Sequence, residues 1–378
     1  MIRLTIPSLD EDDFAAVRAV LETGYLVQGA QVRAFEQAVA EFVGCAEAVA
    51  VSNCTAALHL ALLALGVGSG DLVLVTTYSW PATANVIELC GAQPVFVEIE
   101  PDTFNMSPER LEAALRPLMA NPTTARRVKA ILPVHTFGQM ADMAAITAIA
   151  ARYDLPVIED AACALGASWQ EKAAGTWGAL GCFSFHPRKA VTTGEGGIIT
   201  TQDGELARQL RALRNHGQDP AAAMIDFVMP GFNYRLTEFQ GALGLTQMAK
   251  LARIIAARRE KAAAYDRLLA GGPIEAPFVP VGSQPVYQSY VVLLPEAVMD
   301  RRAAASQQLR QLGIETTIGT WHMPLTTYFR TRYTFQPGDF PVTDAVFART
   351  LTLPLHEFLT LDEQKQVVTQ LMSVLFGE

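Results

Sequence analysis

The chain has 378 residues, half of them hydrophobic and 18% charged, which excludes a disordered or coiled-coil protein and leaves room for two domains. Its 29 Lys+Arg against 38 Asp+Glu give a net charge of −9, the wrong sign for a general nucleic-acid binder, which must displace counterions from phosphates. Five cysteines, widely spaced and without a CxxC pair, suggest neither a disulfide framework nor a zinc site, and no metal is expected.

The opening MIRLTIPSLDEDD becomes charged before any long apolar run, so no signal peptide is expected. No stretch reaches the roughly 20 apolar residues of a membrane helix, and a cytoplasmic protein without membrane partners fits this reading. Val32, Phe35, Val39 and Phe42 recur at helical spacing and predict an amphipathic helix over Ala30–Val43. Ser52-Asn53-Cys54-Thr55 then ends a strand and opens a second helix. Such a start is a helix cap, or an anion site built from unpaired N–H groups and the positive end of the helix dipole.

Short apolar runs follow: LVLVT (72–76), PVFVEI (94–99), AILPV (130–134), PVIED (156–160), CFSF (182–185) and GIITT (197–201). Helical stretches such as Ser107–Leu118 and Ala141–Arg152 separate several of them. This alternation predicts an α/β fold, a mostly parallel sheet flanked by helices. After about Leu236 the pattern changes. Thr237–Leu269 reads as one or two long helices, and a Gly/Pro-rich stretch runs from Gly271 to Pro285. A strand is expected over Val286–Leu294, a helix over Arg301–Leu312, and a last helix over Thr360–Phe376 with Thr360 and Glu363 as a capping box. The boundary is placed in the long helix, giving a large domain 1–247 and a smaller C-terminal α+β domain 248–378.

Ligands of open α/β sheets bind beyond the carboxyl ends of the strands. At one predicted strand end stand Glu159 and Asp160, either of which could face the crevice or cap a helix. At another, Lys189 sits in the constrained loop FSFHPRKAVTTGEGG, close to Ser184. A lysine there could lose its proton and form a Schiff base. A Gly-containing turn, Pro230-Gly231-Phe232-Asn233-Tyr234-Arg235, precedes the long helix. A phosphate-binding helix start, a crevice carboxylate and a loop lysine, in that order, are the requirements of pyridoxal 5'-phosphate (PLP).

VIEDAA, FSFHPRKAVTTGEGG and GFNYRLTEFQGALGL together resemble the DegT/StrS-like nucleotide-sugar aminotransferases, PLP-dependent enzymes of fold type I (the aspartate-aminotransferase fold). The likeness runs from Gly24-Tyr25 to Leu353-Pro354-Leu355-His356. It implies that Lys189 bonds the cofactor and moves the proton, and that Asp160 pairs with the pyridine nitrogen. Cys54, Thr55 and Ser184 would hold the phosphate and Trp80 would stack on the ring. Asn233 would reach the phosphate of the neighbouring subunit, which implies a homodimer with shared active sites. Tyr25 is expected to contact substrate, and of the histidines His186, His322 and His356 are candidate substrate contacts, His322 beside Trp321 foremost.

Three positions depart from the pattern. Cys163 stands where many members carry a Gln that contacts the cofactor hydroxyl, so that contact is expected to be weaker or bridged by water. Cys54 replaces a glycine in the phosphate turn, and Gln288 a histidine. The implied reaction moves an amino group, with glutamate as donor, to a nucleotide-linked sugar. TTGEGG resembles members acting at carbon 4, hence a 4-keto-6-deoxy acceptor and a 4-amino product. A carbon-3 enzyme and a dehydratase are the alternatives within the fold, and Lys189 argues against the dehydratase, in which His replaces it. The Lys189/Asp160 pair argues against a non-catalytic regulator, and the missing GxGxxG against a nicotinamide enzyme.

Overall fold

The computed structural model describes residues 1–219, 221 and 223–377. Its central sheet uses strands β1 (Glu47–Val51), β2 (Leu72–Thr76), β3 (Gln93–Val97), β4 (Val128–Leu132), β5 (Ile158–Asp160), β6 (Leu180–Ser184) and β7 (Gly197–Thr201). One ladder is ordered β1-β7-β6-β5 and the other β3-β2-β4. Parallel bridges Ile131–Val157 and Val134–Asp160 join β4 to β5, so the two form one sheet. Strand β7 is antiparallel to both of its neighbours, while the pairs β5–β6, β2–β3 and β2–β4 are parallel. The expected mostly parallel sheet is what forms.

The strands are apolar on both faces because both faces are covered. Along β2, Leu72 and Leu74 pack with Phe35, Val39 and Ile146, whereas Val73 and Val75 pack with Leu58, Leu62 and Ile87 on the other side. The helix on the first side spans Ala30–Val43, as its periodicity predicts, and ends at Gly44 in the left-handed conformation.

Thr237 caps one unbroken helix, Glu238–Leu269. Leu251, Ile254 and Ile255 in this helix still belong to the large core, whereas Ala262, Tyr265 and Leu269 belong to a second one. The passage between cores therefore lies beyond residue 247. The second core also takes in Ile2 from the N-terminus. Around it lie the strands Tyr290–Leu293, Thr350–Leu353 and Thr317–Ile318, paired antiparallel, and the helices Arg302–Gln311 and Leu361–Phe376. Thr360 and Glu363 make the expected capping box.

A helix not anticipated from the sequence, Glu11–Thr23, is pinned to the long helix through buried Asp13. That carboxylate accepts from Lys250 Nζ at 2.5 Å, Thr246 Oγ1 at 2.5 Å and Gln247 Nε2 at 3.1 Å. Burial works to raise the Asp13 pKa, but Lys250 and the other donors prevail and hold it below the ordinary value.

Candidate active site

The carboxyl ends of β5 and β6, the start of the Cys54–Ala64 helix and the segment Thr317–Trp321 open on one cavity of about 1030 Å³. Leaving β1, Ser52 N–H donates to the Tyr234 carbonyl at 2.8 Å, and the Asn53 side chain accepts from Ala56 N–H at 2.8 Å. The amides of Cys54 and Thr55, in the first turn, have no carbonyl of their own helix to bond. They stand at the cavity wall with Ser184, the last residue of β6. Close approach makes this possible. A Cβ on Gly197 would lie 2.5 Å from the Asn53 carbonyl carbon and 2.8 Å from Cys54 N, so only glycine lets the turn rest against β7.

Alternation along β5 separates the two carboxylates. Glu159 turns away from the cavity and is fully buried. It accepts from the N–H groups of Gly175 (2.8 Å), Trp177 (2.7 Å) and Gly178 (2.8 Å), and from His135 Nε2 at 2.9 Å. Ala141 N–H donates to His135 Nδ1, which assigns the proton to Nε2. Asp160 faces the cavity. Its Oδ2 accepts from Thr83 Oγ1 at 2.8 Å and its Oδ1 from Ala162 N–H at 3.2 Å. Burial nonetheless pushes its pKa above the usual value. This carboxylate is poised for a cation.

Lys189 enters the same cavity, and its Nζ donates to Cys163 Sγ at 3.0 Å. Burial opposes the ammonium, but Cys163, Cys54 and Asp160 outweigh it and keep the pKa above that of an ordinary lysine. Gln288 Nε2 donates to the carbonyl of Arg188, fixing the backbone beside Lys189. Trp80 borders the cavity and is 62% exposed in the isolated subunit.

The family model of the DegT/DnrJ/EryC1/StrS aminotransferases matches residues 7–372. The chain belongs to that family. This aminotransferase is 38% identical over 380 aligned residues to a GDP-perosamine synthase of Caulobacter vibrioides, covering 99% of this chain and 98% of that protein. Its fold matches PseC of Helicobacter pylori, an aminotransferase involved in pseudoaminic acid biosynthesis, with a TM-score of 0.91, 26% identity and full coverage of both chains. It also matches an aminotransferase of the same family from Brucella abortus, with a TM-score of 0.88, 33% identity and coverage of 97% and 95%.

The aminotransferase thus brings Cys54, Thr55, Trp80, Asp160, Cys163, Ser184 and Lys189 to one cavity. Three expected site residues lie outside its wall. Tyr25 is 82% exposed, and Asn233 is exposed on the turn before the long helix. His322 is buried: its Nε2 lies 3.0 Å from Asp344 Oδ1, and its ring meets Phe340 and Phe347. Its neighbour Trp321, which pairs with Ser79, takes the place on the wall expected for His322. His59 and His186 also line the cavity, whereas His135 and His356 do not. Thr83, Tyr234 and Thr317–Thr320 were not anticipated there. Thr83 follows Trp80 by three residues at a helix start, the one local sign of its role.

PLP fits this set of residues. The free amides and Ser184 suit a dianionic phosphate. The buried, cation-seeking Asp160 suits a pyridinium, and Lys189 suits an aldehyde.

Proposed function

We propose that this aminotransferase is PLP-dependent and transfers the amino group of L-glutamate to a GDP-linked 4-keto-6-deoxy sugar, giving a 4-amino sugar. The observation that carries the substrate class is the 38% identity, over nearly the whole of both chains, to a GDP-perosamine synthase. The site supports the reaction class through Lys189 and Asp160 on one cavity.

When bound, PLP supplies an aldehyde that exchanges amines and a ring that takes up electrons. Cys54 N–H, Thr55 N–H and Ser184 Oγ would hold its phosphate, Trp80 would stack on its ring, and Asn233 would serve the neighbouring subunit's phosphate in a homodimer. Asp160 keeps the ring nitrogen protonated, with Thr83 orienting the carboxylate. Lys189 Nζ is the amine that would bond the cofactor's aldehyde carbon and, when free, would take the proton from the donor Cα. In the second half it returns a proton to sugar C4. Nitrogen passes from donor to sugar. One water supplies the oxo oxygen of the departing 2-oxo acid and the sugar carbonyl oxygen leaves as another, so the transfer balances and no outside oxidant is needed. Cys163 accepts from Lys189 Nζ whenever that amine is free.

The test is product identification by NMR after incubation with glutamate and matched 3-keto and 4-keto GDP-sugars. Amination at C4 supports the proposal. Amination confined to C3 rejects the regiochemistry, and no amination of any sugar rejects the function.

A further inference from the structure

Both proposed substrates are anions, one a dicarboxylate and the other a diphosphate ester. The cavity must hold each without the groups already committed to the cofactor. Apart from its histidines, its acidic and basic side chains are Asp160, Lys189, Glu195 and Arg188. Lys189 and Asp160 are engaged by the cofactor, and the helix start by its phosphate. Burial lowers the pKa of both cavity histidines, His59 and His186, so at neutral pH neither is a cation. Among the described residues of this subunit's cavity wall, Arg188 remains.

Its geometry suits an anchor. The Arg188 backbone is fixed at both ends: its N–H donates to His186 Nδ1 at 3.2 Å and its carbonyl accepts from Gln288 Nε2. Its side chain is exposed and has no hydrogen bond or ion pair among the described residues. It lines the cavity that Lys189 also lines, next to it in sequence. The planar fork of arginine matches carboxylate and phosphate equally.

We propose that Arg188 is a shared anion anchor, binding a carboxylate of the amino donor in one half of the cycle and the diphosphate of the sugar nucleotide in the other. This rests on the function proposed above. One guanidinium serving both means that the two substrates exclude each other, as a two-stage transfer requires.

Calorimetry on the PLP-loaded enzyme tests it, with glutarate and GDP as unreactive probes of the two substrates. Because Arg188 is exposed, Arg188→Gln keeps the fold. Removing a charged hydrogen-bond partner should weaken both probes by about 10- to 100-fold. Arg188→Lys should restore part of each, since it keeps the charge and loses the fork. On the wild type the two probes should compete. In turnover, KM should rise for donor and acceptor while kcat at saturation stays within about threefold, because the anchor acts on ground and transition states alike. If Arg188→Gln weakens one probe alone, or neither, the shared anchor is wrong and the aminotransferase function stands. A wild type that binds neither GDP nor a GDP-sugar overturns both.

Discussion

Asp160→Asn should move activity and stability in opposite directions. The change keeps the shape of a buried side chain and replaces one oxygen by an amide. The new Nδ2 can donate to Thr83 Oγ1, which in turn can donate to Ser79 Oγ at 2.9 Å. Oδ1 still accepts from Ala162 N–H. The hydrogen bonds therefore survive and only the charge goes. With cofactor bound, a buried ion pair loses one partner, a loss of about 3–5 kcal/mol. Carried into the transition state, this lowers turnover by about two to four orders of magnitude.

Without cofactor the sign reverses. Burial raises the Asp160 pKa above 3.8, so the wild type loses stability as pH rises from there through the raised value. Asparagine carries no such burden. The cofactor-free variant should therefore melt at or above the wild-type temperature at pH 7, with the advantage fading toward pH 3.8. Single-turnover absorbance and calorimetric melting of the cofactor-free proteins give the two readings. Unchanged turnover would refute the ring-nitrogen role, and a lower melting temperature at pH 7 would refute the account of the empty site.

Lys189→Ala should abolish transamination, while PLP still binds through its phosphate; spectral titration and product analysis check both. Because the free Lys189 is held protonated, covalent loading of the wild type should release a proton and speed up about tenfold per pH unit between pH 7 and 9, followed by stopped-flow absorbance. Gly197→Ala should force Asn53 and Cys54 away from β7, lowering stability by about 1–3 kcal/mol and weakening PLP binding, measured by melting and titration. Lys250→Met should cost about 3 kcal/mol by stranding the Asp13 carboxylate, which is 1% exposed. In the wild type the Asp13 contribution is present above pH 3.8 and lost as pH falls through its lowered pKa; urea unfolding at several pH values reads this. Mixed Lys189→Ala and Asn233→Ala subunits should regain activity, since some heterodimers hold one site free of both changes. No recovery after confirmed subunit exchange would place Asn233 in its own subunit's site.

What the chain's order of residues reveals depends on the range of the interaction that decides each feature. Ala30–Val43, Leu72–Thr76 and Gly197–Thr201 are legible to the residue because apolar spacing, an αL glycine or a β-branched run marks them locally. The Glu11–Thr23 helix carries local marks too, an Asp10/Asp13 capping box, an acidic first turn and Gly24 in the left-handed conformation; only its partner Lys250 lies far along the chain. At Glu159-Asp160, period-2 alternation requires the two carboxylates to face opposite ways, but not which way. That choice is made by Gly175, Trp177 and Gly178, whose N–H groups surround Glu159 and so turn Asp160 to the cavity. Cys163 and Lys189 meet because their loops leave the adjacent parallel strands β5 and β6 at the same edge. Trp321 rather than His322 reaches the cavity for the same kind of reason: it sits across from Ser79 on a two-residue pairing that alternates the side chains. A residue type beside a motif is thus weak information, whereas its parity on a strand of known facing is strong. Once Ser79 is known to line the cavity, the histidine next to its partner is already directed to the other side, toward Asp344.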